Sequence, residues 1–183
     1  MLPKTSVTII AIADDLEALA LRAALEWWGV QVTIHFIGQA KDLVAILGDT
    51  TRRATTFFLM GHGDEQGFIL PELHPDIERE QPYHSPLAPA HLVQFMHLPD
   101  CIVISTGCAT GTEAFAEAFL SAGCRAYVGP TGYVEGDASL FYSLALCYEW
   151  ICKGQVLGTA HQKAIVHDSE TSLFRLFEQG QQP

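Results

Sequence analysis

The sequence has few positive charges, no long apolar run and no linker or internal repeat. Ten lysines and arginines stand against 21 aspartates and glutamates, which gives a formal charge of −11. This balance argues against nucleic acid and anionic membranes as partners, because both bind basic surfaces. No apolar segment approaches the length of about 20 residues that spans a bilayer. The apolar stretch at residues 7–13 is too short for a signal sequence, so we interpret it as a first strand.

Cysteine and histidine also occur without the spacing of a metal site or a disulfide framework. The five cysteines are odd in number and irregularly spaced, which favours reduced thiols and a cytoplasmic location. Four histidines crowd the middle of the chain, but none forms a zinc motif such as His-Glu-x-x-His. We therefore expect solvated loop histidines, no metal and no cofactor. The four histidines are His74, His84, His91 and His97.

Alternating apolar runs and helical patterns predict an α/β fold. Strands are predicted at residues 7–13, 30–37, 55–60, 101–105 and 125–128. Helices are predicted at residues 14–28, 40–47, 88–96, 112–121, 137–152 and 156–166. This order predicts a three-layer α/β/α sandwich with a mostly parallel central sheet, as a single domain over residues 1–183. The stretch at residues 64–86 is rich in proline and charge, and it is predicted to be a loop over the ligand crevice.

Two of the predicted strands end in a glycine turn that carries a reactive side chain. The first reads FFLMGHG at residues 57–63, and the second reads IVISTGCATG at residues 102–111. Parallel strands direct their carboxyl ends at one crevice, so we expect Cys108 as a nucleophile beside His62 as general acid and base. A cysteine that opens a helix is favoured as a thiolate. Taken singly, each residue also fits a plain structural role in a tight turn.

These motifs resemble those of the caspase-haemoglobinase fold (clan CD) cysteine peptidases, and most of all the CHAT group. The two residues are 46 positions apart, close to the spacing of about 50 in caspases, although the local signature differs. The likeness runs over about residues 7–180 and includes Val134 and Asp137 ahead of a long helix. It implies a caspase-like fold, a protein or peptide substrate and a possible regulatory partner protein. It also implies an oxyanion hole built from the backbone N–H groups of Gly63 and Cys108.

Acidic residues near the predicted strand ends suggest the substrate. Asp15, Glu135 and Asp137 are expected to give the pocket a negative potential, which favours cleavage after arginine or lysine. Thr106, two residues before the cysteine, stands where several relatives carry an acidic or amide residue. Asp14 and Asp137 also fit as helix caps, and capping is the simpler reading for Asp14.

Other functions stay open at this point. The protein can be a different thiol hydrolase, although the histidine of a nucleophile elbow normally follows the nucleophile. It can also be a binding module in which residues 107–112 cradle a phosphate at a helix start, but the glycine spacing is irregular and no lysine follows Gly111. A degenerate peptidase fold used for assembly is a further alternative.

Overall fold

A six-stranded β-sheet lies at the centre of the described structure. The computed structural model of the protein describes residues 6–13, 15–51 and 55–180, without the side chain of Asp15. The strands are β1 (Ser6–Ile12), β2 (Gln31–Ile37), β3 (Thr56–Gly61), β4 (Ile102–Ser105), β5 (Ala126–Pro130) and β6 (Phe174–Glu178). Their order in the sheet is β2-β1-β3-β4-β5-β6. The first five are parallel, and β6 pairs antiparallel with β5.

Helices cover both faces of this sheet. They are α1 (Asp15–Trp27), α2 (Ala40–Leu47), α3 (Pro75–Glu78), α4 (Pro89–Leu92), α5 (Glu113–Ser121), α6 (Gly136–Cys147) and α7 (Leu157–Ala164). Successive residues of a strand face opposite sides, and Ile9 accordingly joins the core under α1, α6 and α7. Its neighbour Ile10 joins the core under α2, α4 and α5. The predicted three-layer α/β/α sandwich is therefore confirmed.

The order in which the chain passes through the parallel strands places several connecting loops at the same edge of the sheet. The chain runs from β1 outward to β2, then returns past β1 and continues through β3, β4 and β5. This reversal places α1 on the opposite face from α2, α4 and α5. In such sheets the carboxyl ends near the reversal form the ligand crevice. The loops after β3, β4 and β5 all emerge at that edge.

The element boundaries differ from the sequence prediction in several places. The helix predicted at residues 137–152 is α6 followed by a π-helical turn at Tyr148–Cys152. The helix predicted at residues 88–96 is the short α4, which is continued by turns. Helix α3 was not predicted at all. Glu135, not Asp137, occupies the N-cap position of α6, and neither caps a backbone N–H with its side chain. Asp14 lies outside the described residues.

A buried polar pair joins α6 to α7. The hydroxyl of Tyr142 lies 2.8 Å from Nδ1 of His161, and both side chains are buried. The ring of Phe174 stacks on Tyr142 at a centroid distance of 3.8 Å. Burial lowers the pKa of His161 to about 4, since charging the imidazole would require water that the core excludes.

We predict that this histidine makes the protein less stable as the pH falls from about 6.5 to about 4. In that window the unfolded chain binds a proton at His161 and the folded chain does not. The free energy of unfolding then falls by up to about 1.4 kcal/mol per pH unit. His161→Gln removes the titration and should flatten the dependence in urea unfolding at pH 7, 6 and 5. The exposed His97, replaced by Gln, is the control, and an unchanged slope in His161→Gln contradicts the prediction.

Candidate active site

The first glycine turn follows β3 and carries His62. Gly61 has φ 153°, and a Cβ there would lie 2.3 Å from the carbonyl oxygen of Ile12. Only glycine fits this conformation and this approach. The carbonyl of His62 accepts a hydrogen bond from the N–H of Ile69 at 3.0 Å. The backbone of the turn is thus fixed, while the imidazole of His62 is exposed.

The second turn follows β4 and carries Cys108 above a buried hydroxyl network. Thr110 donates its hydroxyl to the carbonyl of Gly107 at 2.7 Å, and its Oγ1 lies 2.8 Å from Oγ of Ser105. The same Ser105 oxygen accepts from the N–H of Gly107 at 3.2 Å. A hydroxyl has one proton, so Ser105 donates to Thr110. From the neighbouring strand, Tyr127 donates to the carbonyl of Thr110 at 2.9 Å.

Because its side chain is buried, Tyr127 stays protonated and remains a hydrogen-bond donor. Burial raises the pKa of the phenol well above its ordinary value, because the anion would be desolvated. The network therefore stays in one protonation state over the whole physiological range, and it holds the cysteine turn from below.

The two turns are in direct contact at the same edge of the sheet. Strands β3 and β4 are parallel neighbours, and the hydroxyl oxygen of Thr106 accepts from the N–H of Gly61 at 3.3 Å. A Cβ on Gly63 would lie 2.8 Å from the carbonyl oxygen of Cys108. Glycine is thus required at position 63 because the two turns approach each other closely, and not because of an unusual φ. The structure brings the turns of His62 and Cys108 together, as the sequence suggested.

Cys108 does not open a helix, contrary to the expectation. Helix α5 begins at Glu113 with Thr112 as its N-cap, so the cysteine lies in the preceding turn and not within the helix dipole. The thiol is half-buried, and its sulfur lies 3.5 Å from both the nitrogen and the oxygen of Val134. The next residue, Ala109, has φ 57°. This left-handed conformation costs an alanine about 1 kcal/mol and is typical of functional turns.

Two backbone donors on the touching turns have no protein partner in the described part of the chain. In the residues that the structure describes, the N–H groups of Gly63 and Cys108 donate to no protein acceptor. Ala109 donates to the carbonyl of Gly132 at 3.0 Å, and Gly111 donates to that of Pro130 at 2.7 Å. These two donors of the alternative phosphate cradle at residues 107–112 are therefore already used, which disfavours that alternative.

The predicted substrate-binding residues fall into different places. Thr106 is 4% exposed, and its hydroxyl accepts a hydrogen bond from the first turn. The side chain therefore sets the distance between the two turns and does not line a pocket. The side chain of Asp15 lies outside the described residues. Glu135 and Asp137 are exposed and line one open cleft near the start of α6. Glu135, the first of these residues, directly follows Val134 in the sequence, and Val134 contacts the thiol of Cys108.

Two acidic residues in this cleft were missed by the sequence analysis. Glu170 accepts the backbone N–H of Glu135 at 2.7 Å, and Asp168 lies beside it. The backbone N–H of Thr171 bonds to Asp168 at 2.7 Å and lowers the pKa of that carboxyl. Among the described residues, no lysine or arginine pairs with these four acids. The Asp-x-x-Thr pattern signals a turn, but nothing in the sequence signals its position.

A further hydrogen bond connects two loops at the carboxyl edge of the sheet, near Cys108. The hydroxyl of Tyr133 donates to Oε2 of Glu65 at 2.8 Å. It joins the loop after His62 to the loop after β5.

The remaining histidines lie away from any cluster. His74, His84 and His97 are exposed, and His91 is half-buried. In residues 6–13, 15–51 and 55–180, no three His, Cys, Asp or Glu side chains gather as a metal would require. Within the same residues, no helix has the length and apolar character needed to cross a bilayer.

We predict that Tyr127→Phe lowers the free energy of unfolding by about 1–3 kcal/mol, because the buried carbonyl of Thr110 loses its donor. Urea denaturation measures the change. Tyr133→Phe is the matched control, since it removes an exposed hydroxyl and should cost less than about 0.5 kcal/mol. Equal losses in the two variants would show that the network does not stabilise the turn.

Comparison with known proteins identifies the fold. No family model and no curated protein matches the sequence, whereas 28 chains of solved structures match. Two are separase from Saccharomyces cerevisiae in complex with securin, with TM-scores of 0.61 and 0.55 and 12% identity in both. The matches cover 95% and 97% of this chain, which spans only 12% of the separase chain. The chain therefore has a caspase-like α/β fold, as found in these separase structures.

Proposed function

We propose that the protein is a cysteine endopeptidase with Cys108 as nucleophile and His62 as general acid and base. One observation supports this above all: two unpartnered N–H groups, at Gly63 and Cys108, adjoin a half-buried thiol where the two turns touch. Most buried backbone donors in proteins are paired, so open donors beside a half-buried side chain are available to a ligand. The caspase-like fold adds support, because it matches the separase structures.

The proposed reaction uses these groups in turn. The thiolate of Cys108 attacks the scissile carbonyl carbon, and the negative charge that forms on the oxygen is stabilised by the two N–H groups. His62 then gives a proton to the leaving amine, which leaves a thioester on the cysteine. Water, deprotonated by His62, hydrolyses the thioester and restores the thiol.

The acidic cleft suggests a basic residue before the cut. Glu135, Asp137, Asp168 and Glu170 share it with His167, and none of the four acids pairs with a lysine or arginine among the described residues. Four carboxylates that share one cleft attract a cation, and we propose arginine or lysine. The hydrogen bond from Glu135 N–H holds Glu170 in this cleft.

Regulation and location complete the proposal. The matched separase is bound to securin, which supports a regulatory partner protein for this chain. Assignment to the CHAT group rests on the sequence motifs. No disulfide joins any of the five cysteines in the part of the chain that the structure describes, and a thiol nucleophile needs a reducing environment, so we place the protein in the cytoplasm.

We predict that a thiol-reactive peptide probe ending in arginine labels Cys108 and requires His62. Labelling should disappear in Cys108→Ala and slow by about 100-fold or more in His62→Ala, because the acid-base group is lost. Intact-protein mass spectrometry measures both. Cys152 is the other accessible thiol, so Cys152→Ser is the control that should keep full labelling. If Cys152→Ser loses the label and Cys108→Ala keeps it, the probe reports only the solvent exposure of Cys152. That result would contradict the peptidase assignment.

We also predict that Glu170→Gln and Asp137→Asn each lower kcat/KM for arginine substrates by about tenfold, while thermal stability stays nearly unchanged. Neutralising a carboxylate removes attraction for the cation but keeps the shape of the side chain. Glu117→Gln, an exposed acid on α5, is the control for net charge. A peptide library cut mainly after acidic or apolar residues would show that the cleft does not select the substrate.

A further inference from the structure

One side-chain hydrogen bond joins the two loops that flank the thiol. The first loop, residues 62–67, follows β3, and we call it the histidine loop. The second, residues 131–135, follows β5, and we call it the thiol wall. The hydroxyl of Tyr133 donates to Oε2 of Glu65 at 2.8 Å, although both side chains are exposed. Among the described residues, no other hydrogen bond links these two loops.

On the histidine loop, the bond ends at a rigid turn. Oδ1 of Asp64 accepts the backbone N–H of Gln66 at 2.7 Å and that of Gly67 at 3.0 Å. The N–H of Asp64 donates in turn to the carbonyl of Gly67 at 3.0 Å. An aspartate that closes its own turn in this way restricts the backbone between its partners. Glu65 therefore projects from a fixed position.

On the thiol wall, the bond ends between two backbone contacts to the cysteine turn. Gly132, which precedes Tyr133, accepts from the N–H of Ala109 at 3.0 Å. Val134, which follows it, lies 3.5 Å from the sulfur of Cys108 through both its nitrogen and its oxygen. A displacement of Tyr133 therefore moves the backbone that contacts the thiol.

The phenol stays protonated and remains the donor of this bond. The hydrogen bond to Glu65 is the main reason that the pKa of Tyr133 lies above its ordinary value. Negative charge on Cys108 raises the same pKa, so the phenol lies within electrostatic range of the thiol. The bond is thus close to the candidate nucleophile as well as to both loops.

We propose that Tyr133 and Glu65 are positioning residues for the cleavage reaction, an inference that rests on the proposed function. Their bond fixes the distance between the thiol wall and the histidine loop, which carries the N–H of Gly63. Close contact at Gly63 prevents the two turns from approaching further, and the bond prevents the loops from moving apart. An oxyanion donor must lie about 2.7–3.1 Å from its acceptor, and a misplacement of about 1 Å can lower the rate by about 100-fold.

This bond acts more strongly in the complex than in the free protein. In the free protein it is open to water and contributes little to folding. A peptide bound at Cys108 lies beside the histidine loop and the thiol wall, and it excludes water from the space between them. A hydrogen bond from a phenol to a carboxylate strengthens where water is excluded. The two loops are therefore held most firmly when the oxyanion forms.

A peptide aldehyde ending in arginine tests this geometry without turnover. The sulfur of Cys108 adds to the aldehyde carbon, the carbonyl π bond opens, and the oxygen takes up the proton that the thiol loses. That oxygen then occupies the oxyanion position. Iodoacetamide alkylates the same thiol by displacing iodide and releasing a proton, and this reaction needs no oxyanion donor. In a Cys152→Ser background, intact-protein mass spectrometry measures alkylation, and protection by the aldehyde gives its Kd.

Tyr133→Phe should raise the Kd of the aldehyde about tenfold, because the bond is lost, while the rate of alkylation by iodoacetamide stays unchanged. Glu65→Ala should also raise this Kd, but it should add no further loss in a Tyr133→Phe background, since both changes remove the same bond. Thr131→Val is the matched control. It removes an exposed hydroxyl of the thiol wall that donates to the carbonyl of Leu173 at 3.0 Å, and it should keep the wild-type Kd.

Three results would overturn the inference. An unchanged Kd in Tyr133→Phe would show that the bond does not position the oxyanion donor, and a lower Kd would show that the bond obstructs the entrance. Alkylation that slows as much as aldehyde binding weakens would place the effect on the thiol itself. A different result contradicts the proposed function: a wild-type chain that is alkylated at Cys108 but gains no protection from the aldehyde. The positioning role would then fall with the peptidase assignment.

Discussion

The candidate site depends on the close approach of two backbone turns. The turn after β3 and the turn after β4 touch where Gly63 has no side chain, since a Cβ there would meet the carbonyl of Cys108 at 2.8 Å. Parallel pairing of the two strands sets the direction of this approach, and the hydrogen bond from Gly61 to Thr106 sets its distance. Both unpartnered N–H groups lie on these turns. Any residue larger than glycine at position 63 would push them apart.

The cysteine turn is held in its shape from below. Ala109 has a left-handed φ that an alanine adopts at a cost, and the hydroxyl network of Ser105 and Thr110 opposes relaxation of that turn. Its position is set further by Tyr127 on β5 and by the contact of Ala109 with Gly132. Three consecutive strands thus converge on one cysteine. The thiol is fixed by backbone and buried groups, while the histidine and the acidic residues remain at the surface.

The sequence predicts the sheet and the two reactive turns because these depend on local signals. Apolar runs that end in glycine mark strand ends, and parallel neighbours share an edge. The helix predicted at residues 112–121 agrees with α5, whereas the expectation that Cys108 opens this helix was wrong, because a separate turn lies between the cysteine and Thr112. The role of Thr106 was missed because it depends on a partner 45 residues away. Glu170 was missed for the same reason, since it reaches the cleft only after β6 and the last loop pack against α6.

The two ends of the sheet differ in what they supply to the candidate site. At one end β6 runs antiparallel and closes over β5, and the loop before it supplies Glu170 to the acidic cleft. At the other end β2 leaves its ladder open beneath the apolar outer face of α1. The reactive turns belong to β3 and β4, in the middle of the sheet, so the open edge at β2 lies two strands away from the first of them. Strand β1 lies between that edge and the first turn, and it bounds Gly61 through the carbonyl of Ile12.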